Sequence, residues 1–130
     1  MYSYTTPEEA IKSLETAYTN NDLAAIINSK DFICEAKFIL ESAAIEYDLD
    51  DDEIVLETAK LAELSLILSL QKNGYPDFTD LKSEIYDLQR FRENIYFVNE
   101  RISYPDGFVY VTRIFLTLKN DVWKVALIEE

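Results

Sequence analysis

Histidine is missing from all 130 residues of the chain. That absence removes imidazole general bases, the Ser-His and Cys-His nucleophile pairs and histidine-rich transition-metal sites. Cysteine is nearly as scarce: Cys34 stands alone, so no internal disulfide can form. Its neighbours Phe32, Ile33, Phe38 and Ile39 make it a small buried hydrophobe rather than a nucleophile. Two glycines and three prolines are too few for repeats built on turns, and no internal period or low-complexity tract is visible. The most apolar stretch, near Leu61–Leu70, is broken by Glu63 and two serines and is too short to span a membrane. The opening MYSYTTPEEA lacks a basic segment followed by an apolar run, so no secretion signal is expected. These features together suit a reducing cytoplasm.

Positive charge is also in deficit. Twelve basic side chains face 25 acidic ones, for a net charge of −13, which disfavours direct binding to nucleic acid or to an anionic membrane. The imbalance is lopsided. Residues 1–77 carry 16 acidic and 5 basic side chains, whereas residues 78–130 carry 9 and 7. All four arginines, Arg90, Arg92, Arg101 and Arg113, fall in the second part. The acidity therefore belongs to one half of the chain.

What is present organises into helices first and strands second. A single domain over 1–130 is expected, helical over about 6–74 and sheet over about 82–129. Thr6-Pro7-Glu8-Glu9 starts a helix, with Thr6 as cap, Pro7 at the first position and Glu9 completing a capping box. Ile11, Leu14 and Tyr18 share its face. Asp22 caps a second helix and Asp31 a third, in which Phe32, Ala36, Ile39 and Ala43 keep a helical period. A long helix follows over about 53–72, in which Ile54, Leu61, Leu64 and Leu68 form one apolar stripe. Gly74 and Pro76 stop it.

The period then falls to two. NIYFVNERISY, FVYVTRIFLTLK and VWKVALIE read as an antiparallel meander, joined by Pro105-Asp106-Gly107 and by Asn120-Asp121. KSEIYDLQRFREN supplies a fourth strand. Apolar residues occupy both alternating sets, which predicts a bulged, strongly curved sheet partly covered on its second face. That pattern permits, without requiring, homodimerisation through the outer face. Arg101 and Arg113 interrupt the strands, with Glu100, Glu93 or solvent as their open alternatives. The fold class is α+β, with N-terminal helices packed on a curved antiparallel sheet.

One segment concentrates the charge. EYDLDDDE places Glu46, Asp48, Asp50, Asp51, Asp52 and Glu53 in eight positions. Asp48, Asp50 and Asp52 have the first spacings of an EF-hand loop. Glu53 stands where that loop needs glycine, and Ala59 where it needs the bidentate glutamate, so no calcium site is expected. Asp51 or Asp52 can cap the next helix with Glu53 in its first turn, contributing ~1–2 kcal/mol. A cap explains one or two acids and leaves the others either merely solvated or arranged to meet a basic partner.

The segment TPEEAIKSLETAYTNNDLAAIIN resembles the opening of the nuclear-transport-factor-2-like (cystatin-like) superfamily, and NDVWKVALIEE looks like its final strand. The long helix at about 53–72 departs from the short third helix usual there. Within the superfamily, SKDFICEAKFILE looks most like the bacterial immunity proteins that neutralise polymorphic toxins. The resemblance implies a non-enzymatic binder of a cognate toxin domain, without cofactor or metal, and the concentrated negative charge implies a basic one met by Glu46, Asp48, Asp50, Asp51, Asp52 and Glu53. It also implies an alternative: a small-ligand-binding or isomerase-like cone walled by Tyr96, Phe97, Tyr110, Phe115 and Trp123. The His–Asp chemistry of some superfamily enzymes is unavailable here. An Asp base with a Tyr oxyanion donor is not forbidden by composition, though no Asp occupies an evident apolar strand position.

Overall fold

The computed structural model describes residues 2–43 and 52–129. Four helices, α1 (Pro7–Thr19), α2 (Leu23–Asn28), α3 (Phe32–Ser42) and α4 (Asp52–Asn73), precede four strands. The strands β1 (Lys82–Arg92), β2 (Ile95–Ser103), β3 (Val109–Lys119) and β4 (Val122–Glu129) form an antiparallel meander in chain order. This is the expected α+β class.

The helix starts follow the capping logic of the sequence. Thr6 Oγ1 accepts the Glu9 N–H at 3.1 Å, Asp22 accepts that of Ala25 at 3.2 Å, and Asp31 that of Cys34 at 3.0 Å. The reciprocal half of the capping box is different. The Glu9 carboxylate accepts the hydroxyls of Thr5 and, at 2.7 Å, of Ser3. Those bonds hold it below the usual carboxylate range.

Both short hairpins use residues that tolerate positive φ. Asn120 and Asp121 (φ 52° and 63°) make the two-residue turn from β3 to β4. Gly107 (φ 93°) closes the β2–β3 turn, where the Tyr104 N–H donates to the Phe108 carbonyl at 2.8 Å. Register shifts in β1 and between Phe115 and Leu116 in β3 bend the sheet.

Alternation assigns each strand residue to a face. Val98, Ile114, Leu116, Trp123 and Val125 point inward onto Ala10, Ile11, Leu14 and Ala17 of α1, forming the main core. On the opposite face, Phe115, Phe97 and Leu127 meet Cys34 and Phe38 of α3. That covering helix is why both alternating sets are apolar. The free edge of β4 is sealed by Tyr4, whose carbonyl accepts from Trp123, and by Ser29 and Asp31, which bond the backbone of Val125 at 2.9 and 2.8 Å.

Asp31 joins these parts. Its carboxylate caps α3 and also accepts from Thr117 Oγ1 at 2.8 Å, with Lys119 Nζ at 3.5 Å. Burial alone would raise its pKa, but the Cys34 N–H, Thr117 and Lys119 outweigh that and hold it below the ordinary range.

Helix α4 departs from expectation. Val55, Ala59 and Leu70 are its buried residues, with Val55 and Ala59 packed on Ala36 and Leu40 of α3. The expected stripe is split. Ile54 packs against that small core, whereas Leu61, Leu64 and Leu68 are 65%, 50% and 53% exposed. Helical periodicity groups residues on one face without saying which face meets the core. The short, small side chains Val55 and Ala59 allow α3 to approach closely, and the leucines are left outside. The period of α3 is likewise offset: Cys34, Ala36 and Leu40 are buried, while Ile39 and Ala43 are exposed.

Candidate functional site

Two surfaces break the ordinary logic of burial. The first is α4. At roughly 100° per residue, Glu57, Leu61, Leu64 and Leu68 share the side opposite Val55, Ala59 and Leu70. Asp52 and Glu53 lie exposed in the first turn. Glu53 and Glu57 thus lead into an exposed leucine row, with Lys60 and Lys72 at its margins. Of the six expected partner-binding residues, Asp52 and Glu53 fall here. Glu46, Asp48, Asp50 and Asp51 lie outside the described residues. Asp52 lies within α4 rather than at a cap position. A row of large exposed apolar side chains on one helix face is what protein-binding surfaces present.

The second is a cavity of about 230 Å³ between α1 and the inner sheet face. Ile11, Leu14 and Tyr18 line it from α1, Ile102 and Tyr110 from the sheet, and Phe78 from the connection after α4. Two carboxyl groups open into it, Glu15 from α1 and Glu100 from β2. Glu100 is only 3% exposed, and it accepts the Ser83 hydroxyl at 2.5 Å. Burial, then a hydrogen bond to Glu100 and its negative charge, push Glu15 up to about 9, against a smaller downward pull from Lys12. Glu15 is therefore neutral at pH 7. Thr112, opposite Glu100 on β3, is 5% exposed and its buried hydroxyl has no hydrogen-bond partner among the described residues. Burial and the Glu35 charge raise Tyr18 to about 12, so its phenol stays neutral.

The expected pocket wall does not assemble. Tyr96 and Trp123 stack edge-on at 5.0 Å in the main core. Phe97 and Phe115 lie on the other face, 5.7 Å apart, with Phe38 at 5.0 Å from Phe115. Adjacent strand residues such as Tyr96 and Phe97 point to opposite faces and cannot line one cavity. Tyr110 is the member of that set that does line it.

The carboxyl pair had a visible signal. Glu100 alternates with Val98 and Ile102, which places a carboxylate on an apolar strand face, and Glu15 lies between Ile11 and Tyr18 on a helix face. The strand arginines point away from this pair. Arg101 lies over the Tyr86 ring at 5.4 Å and 3.8 Å from Glu84, and Arg113 lies over Phe97 at 4.9 Å. Glu84 is thus the acidic partner of Arg101, in place of Glu100 or Glu93.

A wider depression of about 750 Å³ gathers Lys30, Lys119 and Lys124. Lys30 is held by Glu35 at 3.1 Å and Lys119 by Asp31 at 3.5 Å, so most of its positive charge is spent within the protein. Among the described residues, no cluster of three or more carboxylates or cysteines is arranged to hold a metal ion. No described helix is long and apolar enough to cross a membrane.

No protein-family model matches the chain, and no curated protein matches it. Among solved structures, a Campylobacter jejuni protein provisionally named an NTF2-like transpeptidase is similar over 94% of this chain and 98% of its own. The identity is 15% and the TM-score 0.48.

Proposed function

We propose that the protein is a non-enzymatic bacterial immunity protein that binds and neutralises a basic toxin domain through the acidic, leucine-bearing side of α4. The observation that carries this reading is the solvent-facing row Leu61, Leu64 and Leu68, continuous with the exposed carboxylates Glu53 and Glu57. Leucines supply the dry centre of an interface. Carboxylates and a net charge of −13 steer a basic partner, raising association rates by roughly 10–10³-fold. A toxin that acts on nucleic acid carries a basic cleft, and an acidic surface seated there would exclude the substrate. The resemblance of SKDFICEAKFILE to immunity proteins points the same way.

The test is co-expression with the C-terminal domain of the protein encoded immediately upstream, scored by growth rescue and co-purification. Rescue with a stoichiometric complex is expected. Leu64→Asp should weaken that complex by at least about tenfold, and Glu57→Lys should slow its association, both with unchanged far-UV circular dichroism. Absence of toxicity and of any complex would overturn the reading, as would a homodimer formed through α4.

A further inference from the structure

We propose that the cavity between α1 and the inner sheet face is a binding site for one alkylammonium group, held by Glu15, Glu100 and Thr112. The proposal goes beyond the toxin-binding reading and does not depend on it. A primary ammonium has three N–H donors and no acceptor. The cavity offers three acceptors: the two carboxyl groups and the Thr112 hydroxyl, which is buried and without a hydrogen-bond partner among the described residues. Glu100 and Thr112 are directly paired across β2 and β3, so their side chains leave the sheet side by side on one face. Glu15 lines the same cavity from α1.

The rest of the lining fits an alkyl chain and a cation. Ile11, Leu14 and Ile102 supply apolar contact, and the rings of Tyr18, Phe78 and Tyr110 can face a positive charge. None of the lining residues is basic. The nearest charge opposing Glu15 is Lys12, which is exposed and already paired with Glu8 at 2.9 Å. A volume of about 230 Å³ corresponds to roughly eight waters' share of liquid, enough for a short alkyl chain. An anion would meet two carboxyl groups, and a neutral apolar molecule would leave the Thr112 hydroxyl unsatisfied.

Binding of a cation also has a proton balance. At pH 7 Glu15 carries a proton, and an arriving ammonium, itself charged, takes that proton's place. About one proton should pass to solvent per ligand bound. Affinity should rise with pH, at the limit about tenfold per unit, until Glu15 is ionised. The other groups facing the pair are Ser83 on β1, Thr112 and Tyr110 on β3, and Lys12 and Tyr18 on α1, and burial keeps the Tyr18 phenol neutral over this range.

The experiment uses n-butylammonium, with 1-pentanol and butyrate as neutral and anionic controls, in isothermal titration calorimetry across buffers of different ionisation enthalpy. Saturable binding of butylammonium with release of about one proton is expected, with neither control binding comparably. Glu15→Gln and Thr112→Val should each weaken it by about tenfold. Nα-acetyl-lysine methylamide forms a second arm. If it binds as well, the natural occupant is a lysine side chain of a partner, and if butylammonium alone binds, it is a free amine. Absence of binding, equal binding of pentanol, or binding without proton release would overturn the proposal. The proton count is read on the unaltered protein and does not depend on a variant folding.

Discussion

Replacing Glu15 by Gln isolates one buried proton. Glu15 is raised from 4.5 to about 9 in the folded protein, while in the unfolded chain it titrates near its ordinary value. Below pH 4.5 the group is protonated in both states and costs nothing. As pH rises further, the unfolded chain ionises and the folded protein does not, so stability is lost until the pH passes about 9. Each pH unit in that window removes ~1.4 kcal/mol, or ~6 kcal/mol in full. Glu15 is half-buried, and the solvent it keeps reduces that to ~2–4 kcal/mol.

Glu15→Gln retains the shape and a donor toward Glu100 but cannot ionise. Its stability relative to the parent should therefore climb by ~2–4 kcal/mol between pH 5 and pH 9. Urea unfolding at pH 5, 7 and 9, followed by Trp123 fluorescence, measures the difference directly. Carboxylates with lowered pKa, such as Glu9 and Asp31, contribute stability that is lost only as pH falls through their folded values. They are common to both proteins and cancel. Parallel stability curves across the range would refute the assignment of a shared proton to Glu15 and Glu100.

Two further outcomes follow from single contacts. Asp31→Ala removes the α3 cap and the bond from Thr117 together and should destabilise the protein by ~2–4 kcal/mol, read from the urea midpoint at constant m. Cys34 is 5% exposed, and burial, with the Asp31 charge, raises its thiol to about 12. It should resist a thiol reagent at pH 8 in the native protein and react at the ordinary rate in denaturant. Rapid native labelling would show that α3 lifts from the sheet.

Much of the architecture was legible because local signals agreed with one another. Thr6, Asp22 and Asp31 are caps that act through their own backbone neighbourhood, and Asn120-Asp121 and Gly107 set their turns through φ alone. The facing of α4 was not legible. Leu61, Leu64 and Leu68 share a helix face in the sequence, yet the core selected Val55 and Ala59, because α3 arrives with Ala36 and a close approach suits small residues. The pocket wall failed for a related reason. Aromatic content marked Tyr96, Phe97, Phe115 and Trp123, but alternation sends Tyr96 and Phe97 to different faces, and α3 fills the outer one. Glu100 gave the better clue, being a charge where Val98 and Ile102 call for an apolar residue.

Both exceptions cost stability, and they do so separately. Leucines left in water forgo the ~1.5–3 kcal/mol that each would contribute if buried, and a carboxyl pair kept in an apolar cavity opposes folding above neutral pH. A chain whose only requirement was to fold would have neither, since Leu64→Lys or Glu100→Thr would relieve each at little structural expense. The leucines belong to α4 and the carboxyl pair to α1 and β2, with no shared hydrogen bond. A variant at Leu64 should leave the Glu15 titration where it is, and a variant at Glu15 should leave the proposed toxin binding intact unless the partner itself inserts a lysine into the cavity. That last coupling is the one way the two surfaces become a single interface, and a double-mutant cycle between Leu64 and Glu15 on toxin affinity would measure it.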